Sequence, residues 1–306
     1  ALLLEACQHA DIYIVITMRS DFLGAAAEFH GLPEAINDGL YLTPRLTREQ
    51  LHDAICLPAQ LFGGSVDDTL ANALQNEAGN DPDQLPLLQH ALMRLWDNDE
   101  DKHLTLREYR DLNGLRGALN DHAEQAWKEL NYVQQSIAET MFRALTERSS
   151  REGQAIRRPV KVQEVLAVAQ TDLVTLQQVV EEFRQPGRNF LTPPPLVPPV
   201  PLQPETVLDI SHESLIRQWQ RLQNWVTEEG KKAAMYLRLL DAAQRHRNNE
   251  ADLWQGTDLA LALQWRNEQK PNAGWAKRYG GEFALVEEFL NASDAGSGVA
   301  QMQLSP

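Results

Sequence analysis

Cysteine is nearly absent from this chain of 306 residues, which has only Cys7 and Cys56. Two thiols cannot build a disulfide framework or a zinc knuckle, so the cytoplasm is the expected compartment. Long apolar runs are also missing. No stretch approaches the ~20 residues that span a bilayer, and no signal-peptide pattern is read, so no membrane partner is expected. Basic side chains are outnumbered, 28 Lys and Arg against 43 Asp and Glu, for a formal net charge of −15. Phosphate backbones are held by clustered Lys and Arg, so a nucleic-acid partner is not expected either. The chain also lacks a Gly-x-x-x-x-Gly-Lys-[Ser/Thr] loop. The nearest sequence, Gly230-Lys231-Lys232, lacks the upstream Gly and the hydroxyl. No apolar strand ends in Asp-Asp or Asp-Glu. Both halves of a nucleotide-hydrolysis site are therefore wanting, and no catalytic residue is assigned.

What is present is an ordinary apolar complement, 43% of the chain, long enough at ~150 residues per domain for two domains or more. The first residue is not Met and "ALLLEACQHA" enters in mid-pattern, so the chain reads as a fragment. Residues 12–17, "IYIVIT", predict a central strand of a parallel sheet, covered on both faces, with the rest of that sheet upstream. From residue 47 the signals turn helical. Thr47 with Gln50 predicts a capping box, Leu51 and Ile55 share a face, and Pro58 is expected to stop the turn. Asp67 or Asp68 can cap a helix carrying Leu70, Ala73 and Leu74. Leu88, Ala91, Leu92 and Leu95 mark a helix over 84–96, with Pro86 in its first turn, where a missing N–H costs little. Thr105 with Glu108 starts a short helix, and residues 117–130 give another, completing a small helical bundle.

Three helical stripes follow: Ile137, Met141, Leu145; then Val162, Val165, Leu166, Ala169; then Leu173, Leu176, Val180, Phe183. "AIRRPV" is a short extended piece between the first two. Extended segments at 188–191 and 206–210 flank residues 192–204, of which seven are proline. Three helices and a two-stranded hairpin make a winged-helix pattern, with the proline-rich stretch as an extended wing loop. After Ser211 a long helix carries Leu215, Trp219, Leu222 and Val226 on one face. Further helices are expected at 231–248, 257–269 and 282–291, ahead of a small, polar, flexible tail.

Several local motifs have competing readings. His212-Glu213 resembles the start of a zinc-protease HExxH helix, but Ile216 stands where the second ligand is needed. Asp97, Asp99, Asp101, His103, Thr105 and Glu108 occupy positions 1, 3, 5, 7, 9 and 12 of a calcium loop. Position 6 is Lys102 rather than the Gly that the turn needs, so an acidic loop ending in a capping box explains the same residues. No metal is assigned. Pro195 to Pro198 satisfies PxxP, which a proline-rich wing loop produces by composition alone. Both cysteines read as core residues without a diagnostic His partner. Residues 131–191 hold eight basic and seven acidic side chains, too balanced for a DNA-binding footprint.

Five segments in order carry a resemblance over roughly residues 1–292: "IYIVITMRSDFLG", "LTREQLHDAICLPAQLFG", "DQLPLLQHALMRLW", "LREYRDLNGLRGAL" and "DISHESLIRQWQRLQNW". Together they resemble the bacterial group of STAND-type P-loop NTPases, signalling switches commonly fused to WD-repeat sensors. The resemblance implies a mainly α chain: the remnant of a parallel α/β NTPase core (1–45), a helical lid (46–130), a winged-helix domain (131–211), a helical arm (212–292) and a tail or linker (293–306). It implies ATP or ADP, with Mg in the intact parent, as the bound group. Arg19 matches the sensor arginine that approaches the γ-phosphate; an ion pair with Asp21 is the plainer role. Pro86 matches the lid proline beside adenine and ribose, and helix initiation accounts for it as well. His212 matches the winged-helix histidine that reaches the β-phosphate of ADP, against a purely structural role. The Walker A and Walker B segments of that family are not in this chain, so tight nucleotide binding by it alone is not expected. The partners implied are the parent's upstream NTPase core and sensor domains, other proteins, or a second copy. Two other readings stand beside the switch: a winged-helix transcriptional regulator, which calls for basic residues at 173–184, and a helical interaction scaffold indifferent to nucleotide.

Overall fold

The computed structural model describes residues 2–7, 9, 11–18, 20–79, 84–148, 155–196, 198 and 200–303; for 20–22, 25 and 297–303 it describes the backbone alone. The chain is mainly helical and divides into two compact units, residues 1–51 and 52–306.

The first unit holds α1 (Leu2–Ala6), a 3-10 helix (Ser20–Glu28) and α2 (Leu32–Gly39). Gly31 precedes α2 at φ 82°, a left-handed turn that a side chain would strain, and Pro33 follows in the first turn. The expected strand at 12–17 is not formed. Those residues pair with no strand, and Tyr13 and Val15 are each 89% exposed rather than covered. A parallel strand depends on partners at its edges, and no described residue supplies one. Then α3 (Arg48–Leu61) opens on the expected capping box: the Thr47 N–H donates to Gln50 Oε1 at 2.9 Å and the Gln50 N–H to Thr47 Oγ1 at 3.2 Å.

Pro58 does not end α3, which runs one turn beyond it. The stop is Gly63 at φ 81°: the Gly64 N–H reaches the Ala59 carbonyl at 2.8 Å and the Gly63 N–H that of Gln60 at 3.1 Å. This is the two-bond ending that a left-handed glycine permits. A short strand, β1 (Ser65–Val66), leads into α4 (Asp68–Ala78) and α5 (Gln84–Asn98). Its parallel partner β2 (His103–Leu104) precedes α6 (Leu106–Asp111) and α7 (Gly114–Glu129). In α4 it is Ala71, not Ala73, that joins Leu70 and Leu74 in the core.

Next come α8 (Tyr132–Ala144), β3 (Thr146–Arg148), β4 (Ala155–Arg157), β5 (Val160–Lys161), α9 (Val162–Ala169), α10 (Leu173–Arg184), β6 (Leu191–Thr192) and β7 (Val207–Ile210). Strands β3 and β4 pair antiparallel, and β7 lies between β5 and β6, antiparallel to both. The proline-rich loop returns to cap α9, whose Val162 and Gln163 N–H groups donate to the carbonyls of Thr206 and Pro204, each at 2.9 Å.

The single long helix expected after Ser211 is two helices, α11 (Glu213–Gln218) and α12 (Gln220–Arg247), and α12 absorbs the helix expected at 231–248. The break has a tertiary cause on α7. Trp219 is extended and fully buried, its indole N–H donates to Glu124 Oε1 at 2.7 Å, and the Gln220 N–H is taken by Asn120 Oδ1 at 3.1 Å. Trp219 also sits in an aromatic core with Phe142, Phe183 and Trp225, centroids 4.8 to 6.4 Å apart. Burying each such ring stabilises the fold by ~2–3 kcal/mol. A second core gathers Tyr236, Leu239, Ala262, Trp275, Val286 and Leu290 from α12, α13 (Gly256–Gln269), α14 (Ala273–Ala276) and α15 (Phe283–Gln303). A 3-10 turn (Lys277–Tyr279) follows α14. The segment expected as a flexible tail continues α15 to Gln303, and Ser293 Oγ accepts the Trp254 N–H at 3.2 Å. No helix among the described residues is long and apolar enough to cross a membrane.

Candidate functional site

His212 caps α11. Its backbone is extended (φ −150°, ψ 146°), and Nδ1 accepts the Ser214 N–H at 3.1 Å. A ring nitrogen that accepts carries no proton, so in the neutral ring the proton sits on Nε2. Strand β7 delivers this residue to its place. The Ser211 N–H donates to the Phe190 carbonyl at 3.0 Å, and Arg157 on β4 braces the strand end. Arg157 Nη1 donates to the Ile210 carbonyl at 3.0 Å and to Asp209 Oδ2 at 3.1 Å, while its Nε lies 3.3 Å from Glu213 Oε1. Burial raises the Asp209 carboxyl above its ordinary value, opposed by the Arg157 charge. Sequence reading recorded Arg157 only within a short extended piece; nothing in "AIRRPV" points to a corner formed some fifty residues later.

Pro86 is where the sequence placed it, half-buried in the first turn of α5. One turn on, His90 faces Phe190 at 5.7 Å between ring centroids, and His122 of α7 faces the same ring at 5.3 Å. His122 Nδ1 lies 3.3 Å from His90 Nε2. Phe190 thus connects the helix of Pro86 to the residue before His212. Both imidazoles are held neutral. Burial, with the Arg94 charge second, lowers His90 to about 4 and His122 to about 3, where His90 and Arg188 add to the effect. Neither histidine was singled out from sequence, because their partner Phe190 is distant in the chain. Arg19 lies outside the described residues, as does the side chain of Asp21.

The acidic loop at 97–108 forms its capping box, with the Glu108 N–H on Thr105 Oγ1 and the Thr105 N–H on Glu108 Oε2 at 2.8 Å. Lys102, expected to resist a left-handed turn, adopts one at φ 59°. Its ammonium offsets the strain by donating to the Asp99 carbonyl at 2.6 Å and to that of Trp96. The lysine's own cation therefore lies on the Asp99 carbonyl of the loop and the Trp96 carbonyl of α5. His103 spends its ring on Ser65 Oγ at 2.6 Å and Asp67 at 3.2 Å, pinning β2 to β1. Cys56 is buried, as expected of a core thiol, but Cys7 is exposed. Cys56 also has a histidine one turn earlier, with Sγ 3.8 Å from His52 Nε2. Burial, then Asp68 and Asp53, pushes the thiol pKa up, so it stays protonated and unreactive. Among the described residues no three His, Cys, Asp or Glu side chains gather as a metal site.

Comparison with curated proteins finds no match, and comparison with solved structures finds none. The model of one protein family, described as Novel STAND NTPase 1, matches residues 1–253. That span includes α5 with Pro86, the β6–β7 hairpin and the His212 corner, and it is most of the chain. The chain belongs to the Novel STAND NTPase 1 family.

Proposed function

We propose that this chain is the regulatory part of a nucleotide-switched STAND signalling NTPase, coupling ADP or ATP state to oligomerisation or effector activation. In this reading residues 46–130 are the lid, 131–211 a winged helix, 212–292 the arm, and the first 45 residues belong to the NTPase core. The winged-helix assignment draws support from the element order α8, β3, β4, β5, α9, α10, β6, β7, in which β5, β7 and β6 form an antiparallel sheet beside the separate β3–β4 pair. The observation that carries the proposal is the His212 corner. Its Nδ1 is committed to the helix cap, which in the neutral ring puts the proton on Nε2, and Phe190 ties that corner to α5 and α7. A contact made only in the ADP state would bias lid and winged helix toward the closed arrangement.

Of the groups a nucleoside diphosphate needs, the residues here supply His212, and Pro86 for the base. They supply no glycine-rich cradle. The chain alone is therefore proposed to bind nucleotide weakly and to lack ATPase activity. The transcriptional-regulator reading draws less support, because the one cation of α10, Arg184, is 4% exposed and paired with Glu181. Sedimentation of the parent NTPase, with its phosphate loop, tests the switch. A monomer with ADP and a larger assembly with a non-hydrolysable ATP analogue are expected; identical sedimentation in both states would overturn it.

A further inference from the structure

A cleft in the second unit runs between α8, β5 and α9 on one side and α12, α13 and α14 on the other. Its volume is about 560 Å³, within the range of small-molecule sites. In a chain of net charge −15 its lining is basic. Six cations, Arg143, Arg158, Lys232, Lys270, Lys277 and Arg278, face two carboxylates, Glu164 and Glu229. Even with Glu139 and Glu228, which also reach Arg143, cations outnumber acids six to four.

The carboxylates are already engaged. Glu229 is buried and accepts from the Trp275 indole N–H at 2.6 Å and the Tyr279 hydroxyl at 2.8 Å, with Arg143 at 3.6 Å. Glu164 pairs with Arg158 at 3.4 Å. Arg278 donates to the carbonyls of Arg143, at 2.8 Å, and Thr146, and lies 5.1 Å over the Tyr279 ring, with no carboxylate partner among the described residues. Lys232 is the most telling group. Its ammonium lies 4.6 Å over the Trp275 ring and donates to the Gln269 carbonyl at 3.0 Å. Burial, with the Arg143 charge adding to it against Glu229, lowers its pKa. A desolvated ammonium among like charges gains most from an anion entering the same space.

We propose that this cleft binds a small, multiply charged, phosphate-bearing anion that bridges the α8–α9 wall and the α12–α14 wall. The cleft shares no residue with the His212 corner, so the inference does not depend on the nucleotide reading. The size favours a small molecule, because one cleft of this volume cannot follow a nucleic-acid backbone.

Calorimetric titration of the full chain with inorganic tripolyphosphate tests it, with thermal melting in parallel. One-to-one binding is expected, at least tenfold tighter than orthophosphate and weakening steeply with added salt. Lys232→Met should weaken it at least tenfold. Because that substitution alters a partly buried site, the exposed pair Lys270→Gln/Lys277→Gln provides a second test, with a loss of about tenfold expected in a protein that melts normally. The pair Arg107→Gln/Lys128→Gln makes the same charge change elsewhere and should leave affinity within twofold. No saturable binding at millimolar tripolyphosphate, equal affinity for orthophosphate, or an equal loss in both double variants would overturn the proposal.

Discussion

Acid should destabilise this protein through two buried histidines. His90 and His122 are held neutral between α5, α7 and Phe190, with folded values of about 4 and about 3 against 6.5 for a solvated ring. The charged groups around them are Arg94 on α5, Arg188 after α10, and Glu129 at the end of α7. Both folded values lie below the unfolded value, so the unfolded chain takes up protons first as pH falls below 6.5. Stability is full above that value and is lost toward pH 4. One unit below 6.5, each ring costs about 1.4 kcal/mol, so moving from pH 7.5 to 5.5 removes about 3 kcal/mol. Against a total of ~5–15 kcal/mol this is a large share, and it corresponds to a fall in Tm of about 5–10 °C for a unit of this size. Denaturant unfolding at pH 7.5, 6.5 and 5.5 measures the loss, with His90→Gln/His122→Gln as reference. The difference between wild type and variant should shrink by about 3 kcal/mol across the window. A difference that does not move with pH, or a His122 ring that titrates near 6.5 by NMR, would refute the reasoning.

Glu124→Ala should destabilise the second unit by about 2 kcal/mol, because the buried Trp219 indole N–H loses its acceptor while half-exposed Arg221 rehydrates. Glu124→Gln, which keeps an acceptor, should cost about half as much, and equal losses in urea unfolding would contradict the assignment. Calcium should leave the loop at 97–108 unchanged, since the Lys102 ammonium already lies on the Asp99 carbonyl within it and opposes an added cation; a micromolar affinity lost on Glu108→Gln would show otherwise. Purified residues 1–306 should show no ATP turnover above background, and robust turnover that survives contaminant controls would contradict the missing phosphate cradle.

What was legible in the sequence was mostly local. Thr47 with Gln50 and Thr105 with Glu108 form their capping boxes because both partners lie within one turn. The stripes Ile137–Met141 and Leu176–Val180–Phe183 bury the faces that their spacing implied. Failures came where a distant residue decides. Leu215, Trp219, Leu222 and Val226 are all buried, yet the helix breaks at Trp219 because Asn120 and Glu124 hold the chain there. The run at 12–17 has strand composition, but pairing belongs to neighbours rather than to the run itself. Lys102 accepts a left-handed turn because its own ammonium compensates, which a rule about glycine does not foresee. That a helix starts after Ser211 was legible; Arg157 and Phe190, which fix His212 as its cap, were not.

If His212 senses nucleotide as proposed, the rate of ADP release from the parent NTPase shows it most directly. One charge-assisted hydrogen bond made only in the ADP state contributes ~1.5–3 kcal/mol to the closed arrangement. His212→Ala should therefore speed ADP release by roughly ten- to a hundredfold. Its Tm should fall by only a few degrees, since the lost Ser214 cap costs ~1 kcal/mol. Unchanged ADP release with a sharply lower Tm would mean that His212 serves the fold alone.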